Sequence, residues 1–361
     1  MGSALRIGII GCGMMGCEHI RNLKLMPDAV VTALADPSES SRDMALWALG
    51  TAKADVQSFA TPEALIERGG IDALIVASPN HTHRAVLETG FTSGLPILCE
   101  KPLCTTLADA SWAAAQAARY TSVFWVGMEY RYMPPVAHFI AEIREGRIGK
   151  LHMLAIREHR FPFLPKIGDW NRFARNTGGT MVEKCCHFFD LMRHIIGAEA
   201  VRVFCSGAMD VNHKTERYDD AMPDIIDNSF TVVDFADGSR AMLELCMFAE
   251  GARNQEELSA VGDKAKLEVF IPDGRVVFSP RVPLGAPKEV VEHHIGVDAT
   301  ALMAGSHHGA TYYELRAFLD AVAGKGKVAV GAEDGVKAVQ LGVAAELSAR
   351  EHRAVLIAEL A

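Results

Sequence analysis

Leu5-Arg6-Ile7-Gly8-Ile9-Ile10-Gly11-Cys12-Gly13-Met14-Met15-Gly16, followed by the apolar stretch Ala29 to Ala35 and then by Asp36, decides the fold. The apolar run enters a G-x-G-x-x-G turn directly, and the turn opens a helix. The three glycines act differently. Gly11 permits the tight turn, Gly13 lets a pyrophosphate approach the backbone, and Gly16 lets the helix lie close on the strand. Amides at the helix N-terminus, around Met14 and Met15, then face the phosphates. Asp36 closes the second strand, where a carboxylate accepts hydrogen bonds from the adenosine ribose hydroxyls and repels a 2'-phosphate; the pattern therefore predicts NAD rather than NADP. Ser38, Ser40, Ser41 and Arg42, just beyond, soften that preference. A glycine turn without a ligand would not need strand, helix and carboxylate in this order.

The chain around this stretch has 361 residues, 49% of them hydrophobic, enough for a large core and about two domains. A formal charge of -9 without a basic run argues against nucleic acid, whose phosphates demand a concentrated positive footprint. The sequence enters an apolar strand within its first residues, without the basic and long apolar parts of a leader, and no stretch has the length of a membrane span. Eight cysteines lack a disulfide-like spacing, which fits a reducing cytoplasm.

Beyond Asp36 the alternation continues. Helices are expected over Ser40 to Leu49 and from Thr61-Pro62-Glu63, with Thr61 as N-cap and Pro62 in the first helical position. Ala73 to Ala77 and Pro96 to Cys99 read as buried parallel strands. They run into Ser78-Pro79-Asn80-His81-Thr82-His83 and Glu100-Lys101-Pro102, at the strand ends where open α/β sheets bind ligands. A helix over Thr106 to Ala118 and a strand over Val123 to Val126 complete a doubly wound parallel Rossmann domain at residues 1-127.

Residues 128-361 have another pattern: a helix over Pro135 to Glu145, a strand over Leu151 to Glu158, an irregular aromatic and basic segment, and a helix over Met181 to Ile196. Strands then follow at Val201 to Val211 and Asn228 to Phe235, with hairpin turns at Asp237-Gly238 and Gly262-Asp263. Helices over Thr311 to Ala323 and Glu333 to Glu351 close the chain, and the last can pack back on the first domain. This predicts an open, mostly antiparallel sheet covered by helices on one face. Asn212 to Pro223 is expected to be a mobile loop.

Taken together, Gly11 to Gly16, Ser78 to His83, Glu100-Lys101-Pro102 and Gly178-Gly179-Thr180-Met181-Val182-Glu183-Lys184-Cys185-Cys186-His187-Phe188-Phe189-Asp190 resemble the Gfo/Idh/MocA family of NAD(P)-dependent sugar and polyol oxidoreductases. The resemblance covers nearly the whole chain. It implies a lysine, here Lys101, between nicotinamide ribose and substrate, often beside a cis proline bond. It also implies a cofactor set of Gly11, Gly13, Met14, Met15, Gly16, Asp36, Ser78, Asn80, His83, Glu100 and Lys101. Where the family has aspartate, any residue, glycine, any residue, histidine, this chain has Glu183, Lys184, Cys185, Cys186, His187.

The residues themselves give Lys101 a case of its own. It ends an apolar strand where it has no packing role, and a desolvated lysine shifts its pKa enough to share in proton transfer. His187 follows Glu183 by four residues, so one continuous helix would put both on one face. Imidazole titrates nearest neutrality, which makes His187 the leading general base and Glu183 its catalytic neighbour. Candidate substrate contacts are Lys101, Tyr130, Arg131, Arg160, Lys166, Trp170, Lys184, His187, His308 and Tyr312. Aromatic faces among the cations between Arg157 and Arg175 suit a sugar ring with an anionic substituent, a uronate or sulfo-sugar. No metal is expected: Cys185 and Cys186 are adjacent and cannot easily share one tetrahedral centre.

Three readings follow. The first is an NAD-dependent dehydrogenase that oxidises a ring hydroxyl of a sugar, with Lys101 and His187 handling the proton. The second is a redox-neutral NAD-dependent glycoside hydrolase, working by C3 oxidation, elimination, water addition and re-reduction. The third is a non-catalytic NAD-sensing regulator, which would have no use for Lys101 and His187. A homo-oligomer paired through the open sheet is expected, with neither nucleic acid nor membrane as partner.

Overall fold

A computed structural model describes residues 4-305 and 307-360. Its first sheet is built from β1 (Leu5–Ile10), β2 (Ala29–Ala35), β3 (Gln57–Phe59), β4 (Ala73–Val76), β5 (Ile97–Glu100) and β6 (Phe124–Gly127). All pairings are parallel, in the order β3-β2-β1-β4-β5-β6. Every residue of β4, β5 and β6 is buried, as parallel strands with both faces covered require. The crossovers are α1 (Met14–Leu23), α2 (Glu39–Leu49), α3 (Pro62–Arg68), α4 (His83–Thr92) and α5 (Leu107–Ala117). Thr61 caps α3, its hydroxyl accepting from the Ala64 amide, and Thr106 caps α5 in the same way through Asp109.

The second sheet has nine strands and is antiparallel except where β7 (Leu151–His159) runs parallel to β10 (Arg240–Cys246). Its other strands are β8 (Ala200–Ala208), β9 (Asn228–Phe235), β11 (Glu256–Gly262), β12 (Ala265–Ile271), β13 (Arg275–Pro280), β14 (Val291–His294) and β15 (Val355–Leu356). Both hairpins form where expected: β9 pairs with β10 across Asp237-Gly238, and β11 with β12 across Gly262-Asp263. Strict alternation of buried and outward residues along β9 leaves one face of this sheet open. The other helices are α6 (Pro134–Arg144), α7 (Ala174–Thr177), α8 (Thr180–Glu183), α9 (Cys186–Ile196), α10 (Ala299–Leu302), α11 (Ala310–Val322) and α12 (Ala332–Glu351). The fold is thus a parallel Rossmann sheet of six strands plus a mostly antiparallel sheet with helices.

Three features differ from expectation. The helix expected over Met181 to Ile196 is two helices, α8 and α9, joined at Lys184-Cys185. Glu183 and His187 therefore sit on separate helices, although Lys184 and Cys185 between them keep right-handed helical dihedrals. Lys184 at the joint is drawn to the buried carboxylate of Glu158, with Nζ 2.8 Å from Oε1. Secondly, the compact units do not follow a single cut near Gly127. The first contains residues up to Tyr132, Lys166–Trp170 and Asp298–Val339; the second contains Met133–Pro165, Asn171–Val297 and the residues from Gln340 on. Within the first, α11 returns to pack on α1 and on the 3-10 turn Glu129–Tyr132. Thirdly, the expected mobile loop is tied down. Glu216 takes contacts from His213 Nδ1 (2.8 Å), Tyr218 Oη (2.7 Å) and Arg172 Nε (3.1 Å), while the Asp227 carboxylate accepts the amides of Asp210, Val211 and Asn212.

Candidate active-site residues

In the first unit the glycine turn has the geometry its sequence demands. Gly11 has φ +97°, and a Cβ on it would strike the backbone of Ala77 and Ser78 at the end of β4. A Cβ on Gly16 would strike the Gly11 carbonyl oxygen, so α1 can approach β1 only with glycine there. Gly13 has nothing within 4 Å of its Cβ position, the open side a diphosphate needs. Asp36 is oriented by two amides: Cys12 N donates to Oδ2 at 2.9 Å and Ser38 N to Oδ1 at 2.8 Å. Arg42 donates to the Asp36 carbonyl and to that of Pro37, which keeps its guanidinium on the backbone.

The ends of β4 and β5 carry the next candidates. Asn80 is buried, and its Nδ2 is a buried donor with no partner among the described residues; such a donor is costly unless a ligand takes it up. The orphan donor, the open Gly13 and the oriented Asp36 together fit a dinucleotide. Thr82 donates to the Ser78 hydroxyl at 2.8 Å. His83 is fully buried, its ring reaching from the Ser78 carbonyl (3.0 Å) to the Pro102 carbonyl (2.9 Å), so it braces the two strand ends. Burial lowers its pKa, and the neutral ring donates to one carbonyl at a time.

Lys101-Pro102 is a cis peptide, and Lys101 N donates to the side chain of Glu100 at 3.1 Å. Glu100 in turn lies 2.7 Å from His19 Nε2 on α1. Burial alone would raise the Glu100 pKa, but the His19 hydrogen bond and the charges of His19 and Lys101 hold it below the usual carboxylate range. The helix that starts at the glycine turn thus also fixes the residue before Lys101.

Sequence reasoning missed His19 and a buried network behind it. The Thr311 hydroxyl lies 3.0 Å from Glu18 and 2.5 Å from Glu129, and His307 Nδ1 lies 2.8 Å from Glu18. Burial opposes the ionisation of Glu18, yet its hydrogen bond to His307 and that group's charge bring it down to about 2. Burial, together with the Glu100 and Glu18 carboxylates, raises Glu129. The signal in the sequence was two polar residues, Glu18 and His19, beside Cys17 and Ile20 on a helix that buries most of its length. His308 has φ +52°, and burial lowers its pKa; Tyr312 stands edge-on to Tyr313 at 5.4 Å. Trp170 meets His81 edge-on at 5.8 Å, with Lys166 on the same short segment. Tyr130 is buried, and Arg131 is held by the Ala329 carbonyl (3.0 Å) and Asp334 (3.3 Å).

In the second unit His187 is 2% exposed and Glu183 6% exposed. Lys184 belongs to a buried charge cluster with Glu158, Arg160 and Glu256. Burial pulls the Lys184 pKa down against the pull of Glu158; burial and the Glu158 charge push Glu256 up to about 7. Neighbouring cations are matched by carboxylates: Arg157 by Glu244 and Glu257, His159 by Glu244, Arg172 by Glu216. Arg175 lies over the Phe173 ring. Burial raises the Cys185 thiol well above its usual range, which disfavours the thiolate a metal would require.

Comparison with known proteins agrees with this geometry. Residues 5-128 match the model for the NAD-binding Rossmann fold of the Gfo/Idh/MocA oxidoreductases, and residues 140-357 match that for their C-terminal alpha/beta domain. The chain belongs to the Gfo/Idh/MocA oxidoreductase family. It is 27% identical to the myo-inositol 2-dehydrogenase of Thermotoga maritima over 356 residues, 99% of each protein. The crystal structure of a probable dehydrogenase from Thermotoga maritima superposes with a TM-score of 0.79 at 26% identity, covering 99% of this chain and all of that one. A levoglucosan dehydrogenase in complex with NADH and levoglucosan shares the fold, with a TM-score of 0.84 at 19% identity over 98% of this chain and all of that one. NAD is the cofactor of this family member, and when bound its nicotinamide would supply a hydride acceptor. Against the family pattern, Glu183 in place of aspartate and Cys185 in place of glycine stand at the joint between α8 and α9.

Proposed function

We propose that this protein oxidises a ring hydroxyl of a neutral cyclic polyol or sugar, transferring hydride to NAD. The observation that carries the reading is Lys101, set at the end of β5 by the Glu100–His19 pair, in a chain similar over its whole length to a myo-inositol dehydrogenase. In this reading Lys101 holds the reacting oxygen and His187 accepts its proton, with Glu183 as a neighbouring carboxylate. The cofactor contacts are those of the glycine turn, Asp36, Ser78 and Asn80, with Glu100 and His83 bracing them. Substrate contacts are drawn from Tyr130, Arg131, Trp170, Lys166, Lys184, His308 and Tyr312.

Neutral substrates are favoured over uronates and sulfo-sugars because three of the cations in the 157-175 segment already face carboxylates. Arg157, Arg160 and Arg172 each face a carboxylate of their own unit. We also propose a cytoplasmic homo-oligomer paired through the open sheet face, where Phe204 and Val232 are cross-strand neighbours and Phe230 and Met153 are more than half exposed. Light scattering that gives a monomer would refute the pairing.

The test is a panel of inositols, neutral sugars, uronates and aryl glycosides incubated with NAD while NADH and aglycone are followed together. NADH accumulating from neutral polyols is expected, and Lys101→Met or His187→Ala should lower turnover by ~100- to 10,000-fold with NAD still bound. Aglycone release without net NADH would make the protein a glycosidase. NAD binding that is unchanged by both substitutions, with no NADH or aglycone formed from any compound of the panel, would point to the NAD-sensing regulator.

A further inference from the structure

Ending five residues before His187, the segment Gly179 to Val182 rests on the C-terminal half of α12 at two points. Gly342 and Glu346 are four residues apart on that helix and so lie on one face. At Gly342 a Cβ would come within 2.7 Å of the Met181 carbonyl oxygen and 2.9 Å of Val182 Cα, so only glycine lets the helix backbone lie against the segment. One turn on, Glu346 Oε1 accepts the Met181 amide at 2.9 Å. That amide belongs to the first turn of α8, where a four-residue helix has no carbonyl of its own to offer. Gly179 has φ +89°, and a Cβ there would strike the Glu346 carboxylate, so the glycine makes room for the acceptor. The Thr180 hydroxyl holds the same turn from the other side, donating to the Ile226 carbonyl at 2.5 Å.

We propose that Glu346 is a positioning residue for the reaction: its carboxylate fixes the turn that delivers Glu183 and His187, and Gly342 and Gly179 provide the space that lets it do so. The role of Glu346 rests on the assignment of His187 as the proton acceptor, whereas the clamp itself does not. A carboxylate accepting one backbone amide at the start of a short helix acts as a cap supplied by a distant residue, and it limits how far α8 can turn relative to α9. Such a residue touches neither cofactor nor substrate, so its loss should be felt in the chemical step rather than in NAD affinity.

The experiment compares Glu346→Ala and Glu346→Gln in the full chain with NAD. It reads amide hydrogen exchange over residues 178-187, NAD affinity by fluorescence, and turnover of the polyol that the wild-type protein oxidises best. Glu346→Ala should speed exchange at Met181 by ~10-fold, leave NAD affinity within about twofold, and lower kcat by ~10- to 100-fold with a smaller change in KM. Glu346→Gln keeps an acceptor oxygen, so both exchange and kcat should return to within about threefold of wild type. Should Glu346→Ala not fold, Glu346→Asp replaces it, because a carboxylate one methylene shorter falls short of the amide. Unchanged exchange in Glu346→Ala overturns the clamp, and equal damage in Glu346→Ala and Glu346→Gln overturns the acceptor role. Faster exchange with turnover intact would leave the clamp standing but overturn the positioning role of Glu346; the role of His187 is read separately from His187→Ala.

Discussion

The glycine turn of the first unit and the Gly178–His187 segment of the second both lead through glycines into a helix, but they are held by different means. In the turn, backbone meets backbone: Gly16 lies on Gly11, Gly11 lies on Ala77 and Ser78, and the carboxylate involved, Asp36, is 24 residues from the amide of Cys12 that it accepts. In the segment, side chains from remote parts of the chain do the holding. Met181 is fixed by Glu346, 165 residues away, Thr180 by the Ile226 carbonyl, and Lys184 by Glu158 across a buried cluster. Close backbone approach tolerates one residue type and little variation, whereas an ion pair can be rebuilt from several. The first arrangement therefore matches the family pattern throughout, and the second departs from it at Glu183 and Cys185.

The comparison breaks most visibly at Gly16. Gly16→Ala places a methyl against the Gly11 carbonyl, and neither backbone can give way without lifting α1 off β1. A stability loss of ~2–4 kcal/mol is expected, with NAD affinity reduced more than ~100-fold, as measured by chemical denaturation and calorimetry. Near-normal NAD binding in this variant would mean that backbone contact is not what builds the turn.

Asp36→Ala has a smaller effect and sharpens the distinction. The carboxylate both receives two backbone amides and, with NAD bound, takes the ribose hydroxyls. Its loss should weaken NAD by ~10- to 100-fold while narrowing the preference over NADP, since the repulsion of a 2'-phosphate goes with it. Parallel titrations with the two dinucleotides read this directly; an equal loss for both would assign Asp36 to the turn alone.

What was legible in the sequence follows the same division. Parallel strands, the cap at Thr61, both hairpins and the glycine turn depend on residues close together in the chain, and each stands where the pattern put it. The break at Lys184-Cys185 was not legible, because an apolar run with helical spacing gives no sign that Lys184 must reach Glu158 on β7. Nor was the return of α11 to α1, which depends on Thr311 and His307 finding Glu18. Strands β13 and β14 were missed for a related reason: they extend a sheet already formed, and β14 is short and largely exposed.

The smallest effect tests the charge cluster, the part of the segment least like the turn. Glu256 has an ordinary value of 4.5, and burial beside Glu158 raises it to about 7 in the folded protein. Between these values the folded chain keeps a proton that the unfolded chain has released, so stability falls as pH rises through the window and is lowest above it. The full shift, in which Lys184 and Arg160 already offset part of the burial and of the Glu158 charge, corresponds to about 3 kcal/mol. Glu256→Gln cannot ionise, so its unfolding free energy should fall less than that of the wild type between about pH 5 and pH 8, by on the order of 1–2 kcal/mol. Urea denaturation at the two pH values measures the difference. A constant offset at both would show that Glu256 is not the group that titrates, and that Lys184 is held by Glu158 as a simple pair, as local in its logic as the glycine turn.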